Sequence, residues 1–202
     1  MILPPRSSAG FTLVEILIVV ALMSILAVAV IPSTAPSVHE GLTSAANIVA
    51  ADLAYGRSLA VLNNDRYQIQ FDLPNNQYTL AYSGSNSTPP ALPPSPLQPS
   101  NDPPNQYIVR LAKLPRMGMP VALYDVQLQA AQPVKTTTVE FGPLGATTAT
   151  QPTAVWLSAG SGKAQRYISI SINPATGLAT IGAFQGAAPA AASAQSTQSS
   201  GI

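Results

Sequence analysis

Hydrophobic positions along this chain follow three successive patterns, and each predicts a different element. From Phe11 to Ile31 every position is apolar except Thr12, Glu15 and Ser24. At about 1.5 Å per residue, a helix over these 21 residues reaches roughly 31 Å, one hydrocarbon core of a bilayer. A membrane helix is therefore expected over 11–31. Pro32 and Pro36 follow. Each lacks a backbone donor and crowds the preceding turn, so a kink or break is expected there.

The second pattern has a helical period. Ser37-Val38-His39-Glu40 reads as a capping box that restarts the helix. Leu42, Ala46, Val49, Leu53, Gly56 and Ala60 then recur at steps of three and four, which marks one face of an amphipathic helix ending near Leu62, before Asn63-Asn64-Asp65. Asn47, Asp52 and Arg57 fall on the opposite face. The stripe predicts a helix lying on a sheet.

The third pattern has a period of two. Tyr67, Ile69, Phe71 and Leu73 alternate with Arg66, Gln68, Gln70 and Asp72. Pro74-Asn75-Asn76 supplies a turn, and Tyr78, Leu80 and Tyr82 alternate on the return, predicting a hairpin over 66–83. Further strands are expected at 106–114, 121–128, 137–141, 154–158, 166–172 and 178–183. Ile168, Ile170 and Ile172 against Ser169 and Ser171 give a half-buried strand. The expected fold is α+β: a long N-terminal helix, then a sandwich-like domain of seven or eight antiparallel strands. Between the hairpin and the next strand, residues 84–105 hold eight prolines in 22 positions and predict an extended, exposed loop. Residues 185–202 are mostly Ala, Ser, Gln and Gly, without charged side chains, the composition of a disordered tail. The expected divisions are thus 1–10, 11–31, 32–62, 63–184 and 185–202.

The chemical anomaly is Glu15. A carboxylate in a hydrocarbon segment costs on the order of 2 to 3 kcal/mol even on lenient insertion scales, so an intramembrane acid is a functional candidate. Cutting the chain after Gly10 would give Phe11 a free amine four residues before Glu15, one helical turn away. A small residue before the cut, an aromatic after it and an acid at the fifth mature position form one chemical unit.

Gly10-Phe11-Thr12-Leu13-Val14-Glu15 resembles the cleavage and methylation motif of type IV pilins and pseudopilins. The resemblance implies that a prepilin peptidase cuts between Gly10 and Phe11 and methylates the Phe11 amine. It also implies that Glu15 guides assembly into a helical filament with other major and minor pseudopilins. Pro32 fits the same family. The Ala/Leu-rich stretch 45–60, ending in Gly56-Arg57-Ser58-Leu59-Ala60, resembles the H-type minor pseudopilins of type II secretion. So does the later order Phe141-Gly142-Pro143-Leu144-Gly145, strand, then Thr176-Gly177-Leu178-Ala179. The implied protein is an inner-membrane, single-pass subunit with its C-terminal domain in the periplasm. Arg6, alone before the apolar run, keeps the leader cytoplasmic.

Two other readings bear on the N-terminus. Arg6 and Ala27-Val28-Ala29 could serve an ordinary secretory signal, but the apolar run exceeds the usual 7–15 residues and an acid has no use inside it. A simple signal anchor carrying a periplasmic binding domain is the rival from another class. A minor pilin of an adhesion or DNA-uptake pilus is the rival within the resemblance.

Composition narrows the rest. The chain has nine Lys/Arg, of which Arg6 lies in the leader, so eight remain against eight Asp/Glu. No basic excess exists to bind nucleic acid. There is no Cys, which excludes disulfides and Cys-based redox or metal sites. His39 is the single histidine and is expected to be solvated or capping. Asp65, Asp72, Asp102 and Asp125 read as solvated turn or edge charges. No phosphate loop or calcium loop motif is present. No cofactor and no enzymatic site are expected.

Overall fold

The computed structural model describes residues 11–30, 37–86, 91–97, 102, 106–114 and 120–190. The leader with Gly10, both Pro32 and Pro36, much of the Pro-rich stretch and residues 191–202 lie outside the described residues. The chain divides into two compact units, Met1–Ala35 and Pro36–Ile202.

The first unit contains helix α1, Leu13–Val30. Its 18 residues reach about 27 Å at 1.5 Å each. Phe11 and Thr12 of the apolar run are not part of it, and Ile31 lies outside the described residues. Among the described residues no helix is long and apolar enough to cross a membrane. Ser24 donates its hydroxyl proton to the Val20 carbonyl at 2.7 Å, which satisfies the mid-helix polar group within its own helix.

The second unit is built on helix α2, Val38–Leu62. Ser37 caps it with both halves of a capping box. Its hydroxyl accepts from Glu40 N–H at 3.2 Å, and Glu40 Oε2 accepts from Ser37 N–H at 2.8 Å. The period-3.6 stripe is the buried one: Leu42, Ala46, Val49, Leu53, Gly56 and Ala60 are all enclosed. Gly56 lets the helix approach closely. A Cβ there would sit 3.1 Å from Leu80 Cδ1 and 3.5 Å from Ile69 Cδ1.

Nine strands are described: β1 (Tyr67–Asp72), β2 (Gln77–Tyr82), β3 (Tyr107–Arg110), β4 (Val121–Leu128), β5 (Val134–Lys135), β6 (Thr138–Phe141), β7 (Thr153–Ala159), β8 (Arg166–Ile172) and β9 (Ala179–Ile181). They form two antiparallel sheets, a four-stranded one in the order β3-β2-β1-β6 and a five-stranded one in the order β5-β4-β7-β8-β9. The fold is α+β, as the change of period from 3.6 to 2 predicts. Ile69, Phe71 and Leu80 from one sheet share a core with Val155, Leu157, Ile168 and Ile170 from the other and with the buried stripe of α2. The strand beyond the expected seven or eight includes β5, whose two residues are too short to show alternation.

Two expectations are corrected. The Pro-rich stretch is not wholly exposed, because Leu92 and Ser95 are 9% and 5% exposed and Leu92 joins the core. Prolines forbid a ladder there but not burial of an intervening side chain. The uncharged end of the chain is also partly ordered. Gln185 pairs through both backbone groups with Tyr167 at 2.9 Å each way. Composition argues from side chains, whereas this contact is made by the backbone.

The hairpin turn also joins the two sheets. Asn76 takes φ 51°, a left-handed conformation that Asn tolerates. Its amide donates to the Val121 carbonyl at 2.8 Å and accepts from Leu123 N–H at 2.7 Å, both on β4. Asn76→Gly keeps the backbone conformation and deletes both bonds. It is expected to cost about 1–3 kcal/mol, read as a lower urea midpoint for the segment beginning at Ser37. Asn76→Ala should cost more, because the left-handed backbone is then strained as well.

Candidate functional site

The segment singled out by the sequence lies at the start of α1. Phe11 precedes the helix and is 80% exposed. Thr12 is the cap: its carbonyl accepts from Glu15 N–H at 3.1 Å and from Ile16 N–H at 3.3 Å, and its hydroxyl accepts from Glu15 N–H at 3.3 Å. Glu15 therefore stands three residues after an N-cap, where the helix dipole favours a carboxylate. Because Phe11 stands before the cap, the regular one-turn spacing begins at Thr12, not at Phe11. Sequence reasoning missed Thr12. Its signal, Thr-x-x-Glu, is the same capping pattern that identified Ser37.

Over residues 13–26 of α1, apolar side chains occupy every side and stay open. Leu13, Leu17, Met23 and Leu26 are 80, 63, 66 and 65% exposed. A helix apolar all round needs lipid or other helices around it. Phe11, Glu15 and this surface are thus displayed together. Gly10, Pro32 and Pro36 lie outside the described residues.

In the second unit, Asp52 and Arg57, placed by the helical period opposite the apolar stripe, are both engaged by strands and turns. Asp52 is 8% exposed and accepts two phenol hydrogen bonds, from Tyr78 at 2.5 Å and Tyr107 at 2.7 Å. Burial raises its carboxyl above the ordinary range, and the two phenols only partly oppose that. Burial and the Asp52 carboxylate together raise both phenols. The tyrosines alternate correctly for strand faces, yet their hydroxyls converge on a helix residue, which no one-dimensional pattern encodes.

Arg57 donates from Nε to the carbonyls of Thr176, at 2.8 Å, and Gly145, at 3.3 Å. Those turns contain Gly145 at φ 82° and Gly177 at φ 65°, a region that only glycine visits freely. A Cβ on Gly177 would collide with the Gly145 carbonyl oxygen. The three sequence stretches that carry the resemblance to H-type pseudopilins therefore meet at one guanidinium.

Of the other acids, Asp72 is the turn charge expected, accepting from Asn75 in the exposed hairpin turn, whereas the remaining three are tied to other groups or buried. Asp102 pairs with Arg110, whose hydrogen bonds hold the carboxyl below its ordinary value. Asp65 accepts from Tyr82 and Asp125 is 7% exposed. His39 is exposed, its ring edge-on to Phe184 with centroids 4.3 Å apart. Among the described residues no group of three or more His, Asp or Glu is placed to hold a metal ion.

Residues 5–31 match the family described as the prokaryotic N-terminal methylation motif. The match spans the candidate cut site, Glu15 and the whole apolar run. No curated protein matches the chain. Two solved structures are similar, both of the Pseudomonas aeruginosa (strain PAO1) type IV minor pilin FimU. The crystal in space group P65 is 18% identical over 70% of this chain and 93% of that one, with a TM-score of 0.40. The crystal in space group P21 is 18% identical over 70% and 86%, with a TM-score of 0.39.

Proposed function

We propose that this chain, type IV pilin-like in its N-terminal segment, is a pseudopilin: a filament subunit of a type II secretion pseudopilus, without enzymatic activity of its own. The observation that carries the proposal is the methylation motif over residues 5–31, set at the head of a helix whose apolar surface is open on every side. In this reading a prepilin peptidase removes Met1–Gly10 and methylates the Phe11 amine. The apolar helix holds the subunit in the inner membrane, and the unit beginning at Pro36 stands in the periplasm. Assembly then transfers α1 from lipid to neighbouring helices. Glu15, at the capped end, takes the amine of an adjoining subunit and sets its axial position. The choice of type II secretion over a pilus rests on the likeness of residues 45–60 and 141–179 to H-type pseudopilins.

Intact-mass measurement of the membrane-extracted protein tests processing. The expected mature chain begins at methylated Phe11, and Gly10→Leu is expected to leave the full-length precursor uncut. A mature chain beginning at Val30 would mean signal-peptidase processing and would remove the filament reading. Co-isolation with secretion components rather than pilus components distinguishes the two filament types.

A further inference from the structure

The start of α1 is set by two devices, of which the Thr12 hydroxyl on Glu15 N–H at 3.3 Å is the first. The helix begins at Leu13, so Phe11 stands just before the cap and Ile16 is the fourth helical residue. Those are the two positions of a hydrophobic staple, which fixes the angle at which a chain enters its helix. Phe11 and Ile16 line one groove on α1 with Leu17 and Val20.

The sequence offers earlier starts. Ser8 and Gly10 are both residue types that serve at an N-cap. A helix capped by Gly10 would give the Val14 N–H to the Gly10 carbonyl. One capped by Ser8 would also enclose the Gly10–Phe11 bond within its first turn. Thr12 holds the start downstream of both.

The difference falls on the one bond that the filament reading requires to be cut. Hydrolysis adds water across the Gly10–Phe11 amide, leaving a carboxylate on Gly10 and an amine on Phe11. A peptidase that takes its substrate as an extended chain pairs with free backbone groups, and a carbonyl already accepting from Val14 N–H is withheld from it. We propose, resting on that reading, that Thr12 is a positioning residue for the cleavage. Its cap keeps the Gly10–Phe11 bond outside α1 and so sets the fraction of precursor that is competent to be cut. A partner competent only part of the time binds with its apparent affinity reduced by that fraction. Thr12 therefore acts on KM and leaves kcat unchanged. The proposal separates two neighbours in the motif: Thr12 prepares the bond, and Glu15 serves the step after it.

The test uses the full-length precursor in detergent with a purified prepilin peptidase. Gel-resolved cleavage gives kcat and KM, and the Cα chemical shift of Phe11 in the uncut precursor reports whether that residue is helical. Thr12→Val keeps the branched shape and deletes the hydroxyl. It is expected to raise KM several-fold, with about 30-fold as the upper end for a lost cap, at unchanged kcat. The Phe11 shift is expected to move towards helical values with it. Thr12→Ser and Thr12→Asn both retain a capping oxygen, although Asn has a different shape, and both are expected to match the unaltered chain in KM and in the Phe11 shift. Slow cleavage of Thr12→Asn with Phe11 still non-helical would mean that the peptidase reads threonine itself, which overturns the positioning role. So would a Thr12→Val precursor that is cut normally, or one that is cut slowly while Phe11 stays non-helical. An unaltered precursor that is not cut at Gly10–Phe11 would instead remove the filament reading, and the proposal with it.

Discussion

A Glu15→Val chain is expected to insert and be cleaved like the unaltered protein, yet to enter filaments roughly 10- to 100-fold less well. Cleavage should survive because the change makes the helix more apolar and leaves Gly10 and Phe11 untouched. The Thr12 cap should survive too, because its bonds are to the Glu15 and Ile16 backbone N–H groups. What is lost is the one acid among the side chains of α1. A charge-assisted hydrogen bond contributes about 1.5–3 kcal/mol, which sets the expected range. Phe11 stands before the cap rather than one turn above Glu15, so in the proposed filament the amine that pairs with Glu15 is that of another subunit.

Glu15→Gln separates charge from hydrogen bonding. It keeps an acceptor at the same place, and it is expected to fail with Glu15→Val if charge neutralisation sets the register. Gel mobility reports cleavage, and crosslinking to neighbouring subunits reports incorporation. Normal incorporation of Glu15→Val would sink the docking role. Blocked cleavage would show that the peptidase reads Glu15, and the register argument would lose its support.

How much of this was legible in the sequence depended on whether the signal was periodic. The stripe of α2, the Ser37 capping box and the alternation of β8 are one-dimensional patterns, and each marks an element at its place. The two-residue β5 has no room for a pattern. The partners of Asp52 and Arg57 were not legible for a different reason. Position on a helix wheel says which side a residue takes, but α2 is flanked by strands and turns on more than one side. The partners of Asp52 come from β2 and β3, and those of Arg57 from turns 88 and 119 residues away. The N-terminal motif was legible because it is local: Gly10, Phe11 and Glu15 fall within six positions, inside the stretch 5–31 that matches the methylation-motif family. Its omission, Thr12, was an unread instance of a rule already applied to Ser37.

Replacing Asp52 gives the second large effect, and its two variants separate the lost acceptor from the buried charge. Asp52→Ala deprives two buried phenols of their acceptor. At about 1–3 kcal/mol for each buried group left unpaired, it is expected to cost roughly 2–6 kcal/mol. Asp52→Asn keeps the shape, accepts from one tyrosine and carries no charge to desolvate. Its stability relative to the unaltered chain should depend on pH. Burial raises the folded carboxyl above its unfolded value of 3.8. The folded state therefore holds the Asp52 proton more tightly than the unfolded state does. That contribution to stability is fully present below 3.8 and is lost as pH rises through the raised folded value. Above that window the unaltered protein carries a buried carboxylate that Asp52→Asn lacks, so the stability difference should move towards Asp52→Asn as pH rises. Asp65, Asp72 and Asp102 are held low by their hydrogen bonds and give the whole protein the opposite slope. The quantity to measure is thus the difference between the two chains. Urea unfolding of both, from Ser37 onward, at intervals between pH 3.5 and 7.5 supplies it. A difference that grows in favour of Asp52→Asn with rising pH is the expected result. A flat difference, or one that moves towards the acid as pH rises, would mean that the two phenols stabilise the carboxylate at least as much as burial disfavours it.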